Sequence, residues 1–201
     1  MLPNSLNHLE NKQIILGSGS PRRSELLDGL GLKFEIRISD VEETVPSDVS
    51  TEDYPTYLSE LKAKALQSTL QENEILITAD TIVTIKKEIL NKPKTKSEAI
   101  DMISTLSGAQ HKVITGITVT TTNGYISDSD TAQVSIIPMN KDEIEYYVNT
   151  FSPLDKAGAY GIQEWIGLSM INQIIGSYYT IMGLPTHVVY DILKNKIHNI
   201  L

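Results

Sequence analysis

The stretch Ile14-Ile15-Leu16-Gly17-Ser18-Gly19-Ser20-Pro21-Arg22-Arg23-Ser24-Glu25-Leu26-Leu27 joins an apolar strand, a Gly/Ser turn and a helix start that carries two arginines. A strand that passes through a tight turn straight into a helix opens an α/β fold. Ser20 suits the N-cap, and Pro21 suits the first helical position because proline lacks the N–H that this position leaves unpaired. A helix N-terminus presents about four unpaired N–H groups and about half a positive charge. Arg22 and Arg23 would add guanidinium forks that grip phosphate oxygens in pairs, while Gly17 and Gly19 let the backbone pass close to a ligand. Two readings fit this spacing: an anion site, and a capped surface helix with two solvated arginines. The order is not G-x-G-x-x-G, because Arg22 stands at the third glycine position, and no Gly-Lys-Ser/Thr follows, so the dinucleotide and Walker A readings lose weight.

The α/β alternation continues along the chain. Strands are expected at 13–17, 33–38 and 75–85, with helices at 21–30 and 52–70, the second holding Pro55 in its first turn. A turn at Lys86-Lys87 leads to a short strand ending at Leu90. Thr95-x-x-Glu98 is a capping box that opens a helix ending before Gly108. Strands at 112–121 and 125–137 are joined by Asn123-Gly124, a hairpin signal. Asn140, with Glu143 at the capping-box position, opens a helix to Thr150. The glycine-rich 158–167 reads as a functional loop or bent strand, strands follow at 168–175 and 178–182, and Thr186 starts the final helix. The expected architecture is an elongated mixed sheet flanked by helices, in two lobes with a cleft between them. Residues 13–201 form one catalytic domain in this reading, and residues 1–12 a loose, dispensable extension.

Composition narrows the function classes. A net charge of −8 argues against a broad nucleic-acid surface, yet the best motif wants an anion. Both hold if a few of the 17 basic residues gather in one concave site while an acidic surface repels long polyanions, which points to a small phosphorylated substrate carried with a divalent cation. Cysteine is absent, which excludes disulfides, thiolate metal sites and a catalytic Cys, and four histidines make a His-rich metal site unfavourable. The polar start, Met1 to Gln13, lacks a signal peptide's apolar stretch, and no segment has the ~18 uninterrupted apolar residues of a membrane span. A soluble, cytoplasmic protein is expected.

Two residues break their patterns. Asp80 interrupts the β-rich run Ile75-Leu76-Ile77-Thr78-Ala79-Asp80-Thr81-Ile82-Val83, where aspartate is disfavoured by propensity and burial. It is either an exposed-face residue beside Thr78 and Thr84, or a cleft carboxylate that binds a hard metal ion or takes a proton from water. Lys62 falls inside the apolar stripe Leu58, Leu61, Ala65, Leu66 of its helix. It either buries its stem and snorkels or holds a phosphate. Lys92 before Pro93 reads alone as a loop lysine, Asp155-Lys156 as a surface ion pair, Glu43 as part of a solvated acidic loop, and His111 and His187 as satisfied structural histidines. Trp165 is packing or an aromatic wall for a base, with packing favoured.

Ser18-Gly19-Ser20-Pro21-Arg22-Arg23-x-Glu25-Leu26-Leu27 resembles the opening motif of the Maf family of nucleoside triphosphate pyrophosphatases. Ala79-Asp80-Thr81-Ile82-Val83, Lys92-Pro93, Leu106-Ser107-Gly108, Pro153-Leu154-Asp155-Lys156-Ala157-Gly158-Ala159-Tyr160-Gly161-Ile162-Gln163 and Gly183-Leu184-Pro185 follow in the family's order, from about Ile14 to Leu193. Tyr54, Leu58, Lys62 and Ala63 match a further family pattern. The resemblance implies cleavage of a nucleoside triphosphate between the α- and β-phosphates, with Mg²⁺ or Mn²⁺, in a homodimer. It implies Asp80 as proton acceptor and metal ligand, with Glu43 a second metal ligand. Ser20, Arg23, Lys62, Lys92 and Lys156 are implied on the substrate. Arg22, Thr81 and Gln163 occupy three specificity positions with the combination of the dTTP/UTP branch, not the 7-methyl-GTP branch. A Gln amide reading a pyrimidine edge with one donor and one acceptor makes chemical sense. The competing reading is a nucleotide-binding regulator of cell division or septum formation, which needs no carboxylate beside its phosphate site. Glu164-Trp165-Ile166-Gly167 departs from the glycine-richer stretch of many relatives.

Overall fold

The run Ile14-Ile15-Leu16 has no polar alternation because its strand is paired on both edges and covered on both faces. In the computed structural model, which describes residues 3–201, strand β1 (Gln13–Leu16) lies parallel to β2 (Phe34–Ile36), with Ile14 opposite Phe34, and parallel to β3 (Glu74–Ile85), with Ile14 opposite Ile75. Helix α1 (Pro21–Gly29) connects β1 to β2, and α2 (Tyr54–Gln67) precedes β3. The turn Lys86-Lys87, both with positive φ as a tight hairpin demands, returns the chain to β4 (Glu88–Leu90), antiparallel to the end of β3. Helix α3 (Lys96–Leu106), strands β5 (Gln110–Thr120) and β6 (Tyr125–Ile136), helix α4 (Lys141–Phe151), the short α5 (Trp165–Ser169), strand β7 (Ile171–Ile175), the short α6 (Tyr178–Met182) and α7 (Thr186–Asp191) complete the order. Among the described residues, the seven strands form one open mixed sheet in the order β2-β1-β3-β5-β6-β7, with β4 on β3. This is the expected α/β class.

The chain divides into two compact units. One takes the stretch up to Asp80 with Thr115–Asp130 and Gly183–Leu201, the other Thr81–Ile114 and Thr131–Met182. The first unit packs Ile15 and Leu76 of the sheet under Ala63 and Leu66 of α2. The second centres on Val83, Val113 and Val134 of the sheet, Ala99, Ile103 and Leu106 of α3, and Tyr147 and Val148 of α4. The two longer helices of this second unit are capped at their N-termini: Asn140 and Glu143 make a reciprocal capping box at α4, and at α3 Thr95 accepts from Glu98 N at 3.1 Å. The Glu98 carboxylate turns instead to Lys94 N, so that second box is only half formed.

Four expectations change. Residues 4–9 are not loose: the 3-10 helix Asn4–Leu9 buries Leu6 and Leu9, three apart and so stacked on one face, while Met1 and Leu2 of the expected extension lie outside the described residues. Asn123-Gly124 does not make a two-residue turn with positive φ. The link is wider, closed by Thr121 N to Gly124 O at 2.8 Å, with Asn123 N on Thr121 Oγ1. Within 158–167, a 3-10 turn at Ala157–Ala159 is followed by the start of α5, and the next strand begins only at Ile171. The aromatic and β-branched run 178–182, read as strand, is helix α6, whose Tyr179 N is taken by Ser177 Oγ at 3.2 Å.

Candidate active site

The turn after β1 is organised around Ser18, which the sequence reading passed over. Its buried Oγ accepts from Ser20 N at 3.3 Å and from Arg23 Nη1 at 3.1 Å. Ser20 is the N-cap of α1 with Pro21 at the first position, as expected, but its hydroxyl makes no capping bond. Arg23 Nε donates to Gly183 O at 2.8 Å, so the guanidinium is aimed by two fixed oxygens. Burial lowers the Arg23 pKa, and Asp80, Arg22 and Glu43 act on it through space, which places those three charges near its guanidinium. It stays a cation, as arginine does at any ordinary pH. Packing alone requires a glycine at position 17: a Cβ there would sit 2.5 Å from the Thr78 methyl.

Asp80 and Lys62 meet in the same unit. Lys62 Nζ donates to Asp80 Oδ1 at 2.6 Å and lies 3.0 Å from Glu43 Oε1. The Lys62 and Asp80 side chains are each 13% exposed, Glu43 49%. Position 80 is not on a solvated face, since Thr78 and Thr84 are both buried. In the twelve residues of β3 only Asp80 and Thr81 are half-exposed. They fall between the stretch that pairs with β1, Glu74–Ile77, and the stretch that pairs with β4, Val83–Ile85. Lys62 within the stripe of α2 is thus not a snorkelling side chain; its ammonium is held by two carboxylates.

The second unit carries the other expected residues. Thr81 follows Asp80 directly. Lys92 is exposed beside the buried Pro93, and Gln163 is exposed just before α5. Lys156 is buried and bridges Asp155 Oδ1 at 2.7 Å and Glu164 Oε1 at 3.0 Å, so Asp155-Lys156 is more than a surface pair. Glu164 and Tyr147, whose hydroxyl donates to Glu164 Oε2, are the members the sequence did not reveal. Burial, and then that bond to a carboxylate, raise the Tyr147 pKa. Trp165 packs on the core and edge-on to Tyr146. His111 is buried with Nε2 on the Tyr160 hydroxyl at 2.7 Å, but its Nδ1 has no partner, so it is structural yet only half satisfied. His187 is exposed, 3.8 Å from Asp130.

Among the described residues no three His, Cys, Asp or Glu side chains gather as a metal cluster. Asp80 and Glu43 still suit a hard cation such as Mg²⁺, which takes one or two carboxylates and fills its remaining positions with water and phosphate oxygens. The shared attraction of both carboxylates for the Lys62 ammonium shows that the pair already favours positive charge at one place.

Fold and charges define a mixed α/β protein with an anion-ready helix start beside a lysine-bridged pair of carboxylates. The chain belongs to the Maf-like protein family, whose model matches residues 13–196. It is 45% identical over 190 residues to a dTTP/UTP pyrophosphatase of Bacteroides thetaiotaomicron, covering 94% of this chain and 98% of that one. It is 44% identical to a dTTP/UTP pyrophosphatase of Phocaeicola vulgatus, with the same coverage. A third, from Flavobacterium johnsoniae, is 43% identical over 94% of this chain and 97% of its own.

Proposed function

We propose that this protein hydrolyses dTTP and UTP to the nucleoside monophosphate and pyrophosphate. Relatives bearing that name across nearly their whole length support the substrate class. The observation that carries the chemistry is Asp80 held by Lys62 at 2.6 Å, with Glu43 on the same ammonium and Arg23 nearby. A binding module has no need of a positioned carboxylate beside its cations.

Arg23 and Lys62, with Lys92, neutralise the triphosphate, and Ser20 with the first-turn amides of α1 takes phosphate oxygens. Asp80 accepts the proton of a water whose oxygen bonds to one of the phosphorus atoms flanking the α–β bridge. The bridging P–O bond then breaks, and the phosphoryl fragment that was not attacked departs, so that the products are the nucleoside monophosphate and pyrophosphate whichever phosphorus takes the water oxygen. Asp80 and Glu43 are the residues that would hold a divalent cation, Mg²⁺ or Mn²⁺, which supplies charge neutralisation and a more acidic water when bound. Arg22, Thr81 and Gln163 set the preference for a pyrimidine. The resemblance extends the reading to a cytoplasmic homodimer.

The test is hydrolysis of dTTP, UTP, CTP, GTP, dATP and 7-methyl-GTP with Mg²⁺, with pyrophosphate and orthophosphate measured separately. Pyrophosphate chiefly from dTTP and UTP is the expected result. Orthophosphate, or tight binding with no turnover, would overturn it in favour of another phosphatase chemistry or of the regulator.

A further inference from the structure

Gln163 is an exposed side chain, and the backbone that launches it is pinned from three sides. It sits inside the turn Gly161–Glu164, closed by Glu164 N to Gly161 O at 3.0 Å. The hydroxyl of the fully buried Tyr147 accepts from Gly161 N at 3.0 Å and donates to Glu164 Oε2, so one group ties both ends of the turn. The second Glu164 oxygen is held 3.0 Å from Lys156 Nζ, which is itself buried and anchored by Asp155. The third contact is Gly167 of α5: a Cβ there would come within 1.6 Å of the Ile162 carbonyl oxygen, so this helix lies flat against the peptide that enters Gln163. A half-buried glutamate, 18% exposed, with both oxygens occupied in this way is not a solvated surface residue.

We infer that Glu164, clamped by Tyr147 and Lys156, is a positioning residue that fixes Gln163 for base recognition. The inference rests on the reading of Gln163 as the residue that meets the base. Its physical basis is preorganisation: an amide that reads one donor and one acceptor on a base edge discriminates only if it is held in one orientation before the substrate arrives. Glu164 itself does not touch the substrate in this account. Lys156 likewise acts through the turn and not on a phosphate.

Two substitutions loosen the clamp at different ends. Glu164→Gln keeps the shape but removes the charge that Lys156 and the Tyr147 hydroxyl grip, and Lys156 retains Asp155, so the fold has a remaining counter-ion. Tyr147→Phe keeps the buried ring and removes only the hydroxyl. For both, KM for dTTP and UTP should rise on the order of tenfold with kcat within about threefold, and the preference for these substrates over CTP and GTP should fall. Gln163→Ala should lose the same preference, and adding Glu164→Gln to it should cost nothing further, because the two act as one unit. Thermal unfolding separates this from a damaged core. Equal loss on every nucleotide, unchanged selectivity in both variants, or additive losses in the double variant would overturn the inference. The wild-type substrate panel decides the function itself, so failure of that reading shows up there and failure of the clamp shows up only in the variants.

Discussion

Lys62 gives Asp80 and Glu43 a single ammonium to share, which decides what each substitution does. Asp80→Asn keeps an oxygen for the Lys62 ammonium and removes the proposed proton acceptor. Hydrolysis of dTTP should fall by at least about 10²-fold with the far-UV circular dichroism spectrum and melting temperature close to wild type; an active Asp80→Asn enzyme would remove Asp80 from the mechanism. Lys62→Met takes away charge at the phosphates and leaves both carboxylates with a route to solvent. Turnover should drop about 10²-fold, whereas urea unfolding should change by about 1 kcal/mol, the scale of a partly screened ion pair. Loss of stability without loss of turnover would make Lys62 structural. Both residues were legible because each breaks a pattern, a carboxylate in a buried strand and a lysine in an apolar stripe. Glu43 was not legible from the residues alone, since an acidic loop gives no pattern to break, and it came through the resemblance. Ser18 escaped because its role is a contact to Arg23, and a serine in a Gly/Ser turn carries no sign of it.

At the scale of elements, legibility follows how local the cause is. The strand-turn-helix opening, β3, and the Asn140–Glu143 box were readable because each is set by neighbours within a few residues. Helix α6 was not. Tyr178-Tyr179-Thr180-Ile181-Met182 favours a strand by propensity, and burial of Thr180 and Met182 together with the Ser177 cap overrides it. The glycine-rich 158–167 likewise takes its shape from side-chain contacts, to Tyr147 on α4 and to Lys156 just before it, which no periodic or propensity signal contains. His111 on β5 shows how burial by parts far apart in the chain shapes stability. Burial lowers its pKa from 6.5 to about 4, so between those values the unfolded chain takes up a proton that the folded chain refuses. Its contribution is complete above pH 6.5 and is lost as pH falls toward 4, with a slope of up to about 1.4 kcal/mol per pH unit. His111→Gln places an amide near the Nε2 position to meet the Tyr160 hydroxyl without titrating. Urea unfolding free energies of wild type and this variant should run parallel above pH 6.5 and converge or cross below it as the wild type falls faster. Parallel curves over the whole range would mean that His111 takes up its proton in the folded state as easily as in the unfolded one.

Across the whole molecule, the proposed anion site lies on a protein of net charge −8, so recognition of a phosphate there would depend on a few cations fixed by the fold and not on bulk charge. That makes the integrity of the unit bearing Arg23 and Lys62 a condition of function, and its stability draws on residues before the family match, which starts at 13. Residues 1–12 precede the first motif, where a loose extension is expected. Instead Leu6 and Leu9 are 0% and 3% exposed, Ser5 Oγ lies 2.8 Å from the Tyr190 hydroxyl, and His8 Nε2 donates to Leu193 O at 2.8 Å. The His8 and His198 rings lie 4.3 Å apart, so the segment is fastened at several points along the last helical stretch. Two leucines three apart are too sparse a signal to outweigh their polar neighbours, yet each removes a whole side chain from water. Leu6→Ala should therefore cost about 2–5 kcal/mol, the range for a buried leucine that leaves a cavity. Removing residues 1–12 should cost at least as much, since it deletes both leucines and the bonds of Ser5 and His8 together. Neither change touches Ser20, Arg23, Lys62 or Asp80, so kcat/KM for dTTP measured well below the melting temperature should stay within about threefold of wild type while the urea midpoint falls. A truncated chain as stable as the full one would return the segment to the role of a dispensable extension.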